Sequence, residues 1–448
     1  MSGSCFRLEW EWLAAEHVPV ASHARTWARL TIHVGDACAT RVADPHTQTV
    51  RDGIRVPLMP LAEWVVCNWW YLLHESPRAH PLRAARRASA ESRDWHHRHN
   101  LLFAREGFPM CDLTVARANA DHAVVKVVPD PRPIGRYPVR FIEDHEQLVP
   151  RVEVRQELQR LVAAVLERLE GCEARDALEL AEDWSAIQTM TGEDRLLRER
   201  AGALGLDGDD PSVVDDQTAE ALVTDLSALP EVLVDDLLEV PMSAGELPGH
   251  LAWIDRVRSG SAITSGSSSV DLEEGRRAVA SLRDEAATKP AYWLGWEMAA
   301  RAREGLLGLD SRAHGAPLDE ALARWVHALA DGDEPDPRFL RGWVRSEDRV
   351  SVVLRPVHRP TERFLMARAW CLGLLGGSER LITDAQTWNQ AVCRAFATEL
   401  VAPRDYLRGR VGGPTVSEAQ LDELAAELGA PRRAIEHQLE NHELAIVE

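Results

Sequence analysis

Lysine is almost missing from this chain. Of 51 basic side chains only Lys126 and Lys289 are lysines, and the rest are arginines. Catalysis by a lysine amine therefore has next to no candidates, and a permanently protonated guanidinium does not replace it. Cysteine is sparse and scattered: Cys5, Cys38, Cys67, Cys111, Cys172, Cys371 and Cys393 never form a CxxC pair. That argues against a zinc ribbon and suits a reducing compartment. No apolar run reaches the length of a membrane span. The opening MSGSCFRLEWEWLAAEH is acidic early and lacks an apolar signal core, so the expectation is a cytoplasmic chain with no membrane partner. A phosphate-binding Walker loop is missing too. Gly260 and Gly266 stand near serines in SGSAITSGSSS (259–269), but no lysine follows the second glycine, and the tract reads as a flexible linker or loop.

At 448 residues the chain has core enough for two or three domains. Its formal charge of -20 argues against general nucleic-acid binding. The imbalance is local, with nineteen acids against four arginines between residues 171 and 240. Helical periodicity persists through LLRERAGALGLDG and TAEALVTDLSALPEVLVDDLLEV, so the stretch reads as folded. The acids at Asp207, Asp209, Asp210, Asp215 and Asp216 lack EF-hand spacing and suit helix caps.

The expected fold class is α+β, predominantly helical, in three parts. Residues 1–150 read as an α+β domain of unassigned role. WARLTIHVG (27–35), IRVPL (54–58), HAVVKVVPD (122–130) and YPVRFIED (137–144) look like strands. LAEWVVCNWWYLLHE (61–75) reads as one helix offering Leu61, Trp64, Trp69, Trp70 and Leu72 to a core. Residues 151–335 form an acidic helical region. It opens on a helix at 152–172 with the stripe Leu158, Leu161, Val162, Val165 and Leu169. It closes on two helices, AYWLGWEMAARAREGLLGL and LDEALARWVHALADG, that share Trp293, Leu294, Met298, Ala302, Leu322 and Val326. DGDEPDP (331–337) is the boundary to a third domain, 340–448, where DRVSVVLR is a strand.

The most basic part, Arg78 to Arg105, holds seven arginines against Glu91 and Asp94. Arg83, Arg86, Arg87 and Arg98 are candidates for holding an anion, since phosphate contacts need clustered arginine. His96, His97 and His99, in Trp95-His96-His97-Arg98-His99, have suitable chemistry for a metal or a general base. The same run also describes a solvated helix or loop.

The stretch RFLMARAWCLGLLGGSERLITDAQTWNQAVCRAFATELVAP (363–403) reads as two helices, the first closed by Gly376-Gly377-Ser378 and the second by Pro403. It resembles the core of the ImmA/IrrE-type metallopeptidases, whose first helix carries RFxxAHExxH and whose second carries EAxxFAxELLxP. The frame is present in Arg363-Phe364, Ala367, Phe396-Ala397, Glu399-Leu400 and Pro403. VSEAQLDELAAELGAPRRAIEHQLENHE (416–443) resembles the family's closing helical pair, with Gln438, Leu439 and Asn441 as its QLxN ending. By itself that pair would also read as a helix-turn-helix with Arg432 and Arg433 at the start of the second helix. The resemblance covers roughly 340–448 and implies a zincin-like domain there.

At the catalytic positions the pattern departs from the family. Arg368 stands on the first histidine, Ala369 on the glutamate, Leu372 on the second histidine and Val392 on the third, acidic ligand. Two histidines at i and i+4 share a helix face and bind one zinc, with the glutamate as general base. None of these four residues can do either. The resemblance thus implies a pseudo-metallopeptidase, without metal or other cofactor, that keeps binding to a protein partner. Such a protein would act as a regulator in bacterial stress response, mobile-element control or phage defence. Two alternatives stand beside it. One is an active peptidase with ligands relocated to His358, Glu362, Asp384 and Glu399. The other is a nucleic-acid-binding regulator using the arginine-rich 78–105 segment. Arg368 is expected to face the vacated cleft or to pair with an acid, because a buried unpaired guanidinium is costly.

Overall fold

Alternation sets the first sheet. The computed structural model describes residues 5–15, 18–77, 90–129, 139–240, 242–260, 271–284, 290–310, 312–329, 339–347, 349–354 and 357–447. Arg83, Arg86, Arg87 and most of the Gly/Ser tract lie outside them. The chain is α+β and divides into two compact units, Met1–Val223 and Thr224–Glu448. The division falls within the acidic stretch, where the sequence reading sets boundaries near 150 and 335. Among the described residues no helix is long and apolar enough to cross a membrane.

In the first unit β1 (Phe6–Trp12) pairs antiparallel with β2 (Trp27–Val34), whose other side carries β3 (Ile54–Pro57). Ala28, Leu30, Ile32 and Val34 are buried at a period of two, as a half-buried strand requires. The helix expected over 61–75 is two, α1 (Met59–Cys67) and α2 (Trp69–His74). At the junction the Asn68 amide donates to the Trp64 carbonyl at 2.8 Å, a local bond that competes with helix continuation. Beyond α3 (Ala90–His99) comes an antiparallel sheet of β4 (Asp112–Arg117), β5 (His122–Val128) and β6 (His145–Pro150). Among the described residues of the strand expected at 137–144, only Arg140–Phe141 is a strand. It is HEQLVP that pairs along the length of β5 and runs straight into α4 (Arg151–Arg168). Val154, Leu158, Leu161, Val162 and Val165 of α4 join Phe6, Trp69 and Trp184 in one core. That shared core places residues 151–189 with the first unit.

In the second unit α5 (Glu231–Leu238) and α6 (Ala291–Ala302) precede the short α7 (Ala316–Ala323). The helix expected across LDEALARWVHALADG ends with α7, and the chain becomes β7 (Val326–Leu329). The aromatic and β-branched pair Trp325-Val326 favours a buried strand over another helical turn. The sheet adds β8 (Leu340–Ser346), β9 (Val350–Leu354) and, after helix α8 (Arg359–Leu375), β10 (Glu379–Thr383). Its order is β7-β9-β8-β10, with only the β7–β9 pair parallel. Leu294, Met298, Ala302, Leu322 and Val326 are buried as expected, whereas Trp293 is 39% exposed.

Helix α9 (Trp388–Val401) lies beside α8, and both bury side chains on nearly every face, as core helices do. Small residues permit this. A Cβ at Gly373 would come within 2.4 Å of Val350 on β9, and one at Gly295 of α6 within 2.2 Å of the Val392 carbonyl on α9. The unit closes with α10 (Glu418–Leu428), left-handed Gly429 (φ 59°) and α11 (Arg432–Asn441).

One acid of the acidic stretch is built into this unit. Asp236 of α5 accepts from Arg380 Nε at 2.8 Å, Arg380 Nη2 at 2.9 Å and the Leu381 amide at 2.8 Å, and both side chains are buried. Removing one member strands the other charge. Asp236→Ala should cost about 3–5 kcal/mol in denaturant unfolding, and the double change Asp236→Leu with Arg380→Met should recover most of it.

Candidate functional site

Arg368 lies on the side of α8 that meets β10 and α9, and it is 3% exposed. Its Nη2 donates to the Thr383 carbonyl at 2.7 Å and to Gln390 Oε1 at 2.5 Å. Gln390 is itself fully buried and held by its Nε2 donating to the Leu381 carbonyl at 2.8 Å. Arg368 Nε is buried with no acceptor. The expectation for this residue is therefore overturned: it is buried, and among the described residues it pairs with no acid. A strand-end carbonyl and a side-chain amide provide its acceptors. Burial pushes its pKa below the usual arginine value, opposed by Cys393, Asp384 and Cys371.

Ala369, Leu372 and Val392 are completely buried in the apolar core with Trp370 and Phe396. None offers a donor atom to a metal. Val392 is also not the α9 residue that meets Arg368; Gln390, two residues earlier, is. The available signal was a pair of amides, Asn389 and Gln390, in an otherwise apolar helix start. Burial first, then the neighbouring Cys393 thiol on α9, raises Cys371 well above the usual thiol range. Thiols so placed are poor nucleophiles.

The four alternative ligands do not converge. His358 is exposed at the N-cap of α8 and Glu362 sits half-buried one turn on. Asp384 accepts from Arg341 Nε at 2.9 Å. Glu399 accepts from Gln438 Nε2 at 2.6 Å and from the Arg404 amide at 3.1 Å. Tyr292 of α6 donates to Gln438 Oε1 at 2.6 Å, so Glu399 and Gln438 join three helices. Arg363 is similarly occupied: it grips Asp319 and donates to the carbonyls of Leu428 and Gly429 at the end of α10. Among the described residues no group of three His, Cys, Asp or Glu side chains is placed to hold a metal ion.

In the first unit the histidine run spreads over different sides of α3. His99 is buried, with Nδ1 2.7 Å from the Val115 carbonyl and Nε2 3.0 Å from Glu75 Oε2. Its ring stacks on Trp95 at 4.4 Å. His97 is exposed against Phe103 at 4.0 Å, and His96 stacks on Trp95 at 6.1 Å. These positions make no metal site. Arg98, a candidate for an external anion, is already engaged: its Nε and Nη2 donate to Glu75 at 3.0 and 2.8 Å, and it lies over the Tyr71 ring. Burial alone would raise the Glu75 pKa, but His99 and then Arg98 outweigh it and hold the carboxyl below its usual range.

Two measurements probe this site. Gln390→Leu removes an acceptor from a buried guanidinium and should cost about 3 kcal/mol, whereas Arg368→Met should cost less than that. Burial raises the Glu399 pKa from 4.5 to about 7, so folding favours its protonated form. Its contribution is complete at pH below 4.5 and is lost as the pH rises through about 7, on the order of 3 kcal/mol in total. Denaturant stability measured across that window should fall more steeply in the wild type than in Glu399→Gln; equal slopes would contradict the assignment.

Compared with known proteins, the chain matches no family model, no curated protein and no solved structure.

Proposed function

We propose that residues 340–448, within the second unit, are a pseudo-metallopeptidase module of ImmA/IrrE type, and that the protein is a non-catalytic regulator that works by binding a protein partner. The observation that carries this reading is Arg368, buried between α8 and α9 and hydrogen-bonded to Gln390. A guanidinium has no lone pair for a metal, and its fixed charge repels a cation. The residues of the frame that remain, Arg363, Glu399 and Gln438, brace one helix against another. Such a framework keeps a surface in shape without supporting hydrolysis. A cytoplasmic setting in bacterial stress response, mobile-element control or phage defence fits the resemblance.

The nucleic-acid reading is less well supported. Arg432, at the start of the second helix of the C-terminal pair, is surrounded by Glu436, Asp422 and Glu418, and Arg98 is held by Glu75.

The test is the metal content of protein purified without a metal-binding tag, together with cleavage of a peptide library in added zinc. The expected result is far less than one zinc per chain and no cleavage. About one zinc per chain with cleavage would overturn the proposal.

A further inference from the structure

We propose that a groove along α6 docks a basic amphipathic helix of the partner protein. This rests on the docking function proposed above and gives the partner's chemistry. The helix Leu272–Asp284 lies beside α6, and α6 runs on into a π-helical turn, Arg303–Leu307. Such wide turns recur at functional sites. Between these elements is a groove of about 590 Å³, with Leu282, Trp296, Ala300 and Gly305 as its apolar lining. A Cβ added at Gly305 would meet nothing within 4 Å, so the space above this residue is open. The turn is held in place by buried Arg303, which donates to the carbonyls of Leu400, Asp310 and Ala313. The groove therefore has its shape before a partner arrives, which lowers the ordering cost of binding.

Trp293 extends this surface. It stands one turn before Trp296 on α6, edge-on to it with ring centres 5.9 Å apart, and is 39% exposed. Tryptophans of this kind anchor protein interfaces, and an apolar groove along a helix accepts the apolar face of another. Charge sets the sign of the occupant. Glu297 and Glu304 also line the groove, with Arg301 between them in sequence. Arg301 Nη1 donates to Ser281 Oγ at 2.9 Å and to the Ala278 carbonyl at 3.4 Å, which commits its guanidinium to the neighbouring helix. Arg404 lies over the Trp296 ring, 5.6 Å from its centre. Glu304 is exposed and, among the described residues, has no basic partner. An incoming lysine or arginine thus meets an unclaimed carboxylate. The chain's charge of -20 draws a basic segment toward the surface and repels an acidic one.

The experiment uses the full chain and a fluorescein-labelled helical peptide with leucines on one face and arginines beside them. A second peptide has glutamate in place of every arginine. Binding is followed by anisotropy at several salt concentrations. The arginine peptide should bind, more weakly as salt rises, and the glutamate peptide should bind at least about tenfold more weakly. Gly305→Trp fills the groove from a position with free space, and should weaken binding at least about tenfold with an unchanged melting curve. Glu304→Lys, an exposed change, should do the same. Glu182→Lys, an equal charge change on an exposed residue of the first unit, should leave binding intact. No binding of the arginine peptide by the wild type, equal binding by Gly305→Trp, or a loss in Glu182→Lys as large as in Glu304→Lys would overturn the proposal. Peptide that is bound through this groove and then cleaved would keep the docking surface and remove the non-catalytic reading. Protein without metal or cleavage that ignores both peptides would do the reverse.

Discussion

A guanidinium taken out of water must find acceptors, and the second unit is arranged around meeting that requirement several times over. Arg380 has Asp236; Arg363 has Asp319 and two helix-end carbonyls. Arg303, 1% exposed, donates to the Leu400 carbonyl at 2.9 Å and the Asp310 carbonyl at 3.1 Å. Arg368 has only an amide and a carbonyl. Each of these long, flat side chains reaches across an element boundary and fixes one backbone against another. In a chain nearly without lysine, arginine serves as an internal brace as well as a surface charge, because its planar fork can satisfy several carbonyls from one position.

The position of Arg368 gives the unit its character. An HExxH helix presents two imidazoles to an ion across the gap toward the next helix. Here the gap between α8 and α9 is bridged by a cation reaching an amide, and the neighbouring positions are apolar. The result is a closed interior in which a guanidinium and a glutamine are bonded to each other and two thiols are buried on the same two helices.

Much of this was legible in the sequence, and the misses have physical causes. The core stripe of α4 follows from spacing, as do the boundaries marked by Gly376 and Pro403. The strand β7 was hidden because WVHAL follows a helical pattern without interruption, and only pairing with β9 decides it. Asn68 splits a helix through a side-chain bond that periodicity does not register. Gln390 meets Arg368 and Glu75 meets Arg98 only in three dimensions, and the sequence does not say which arginine each one meets. The motif places Val392 on the third-ligand position, yet the α9 residue that meets Arg368 is Gln390, because helix phase, not motif alignment, sets which side chain faces the neighbouring helix.

The cysteines offer a practical handle. Cys67 is exposed, Cys38, Cys111 and Cys172 are buried in the first unit, and Cys371 and Cys393 are buried in the second. An alkylating reagent added to the folded chain would mark Cys67 promptly. The buried thiols would take up label only as their surroundings open, so the order in which the two sets react reads out the opening of each unit separately. The same unpaired thiols that made a zinc ribbon untenable thereby become native reporters of where the protein loosens first.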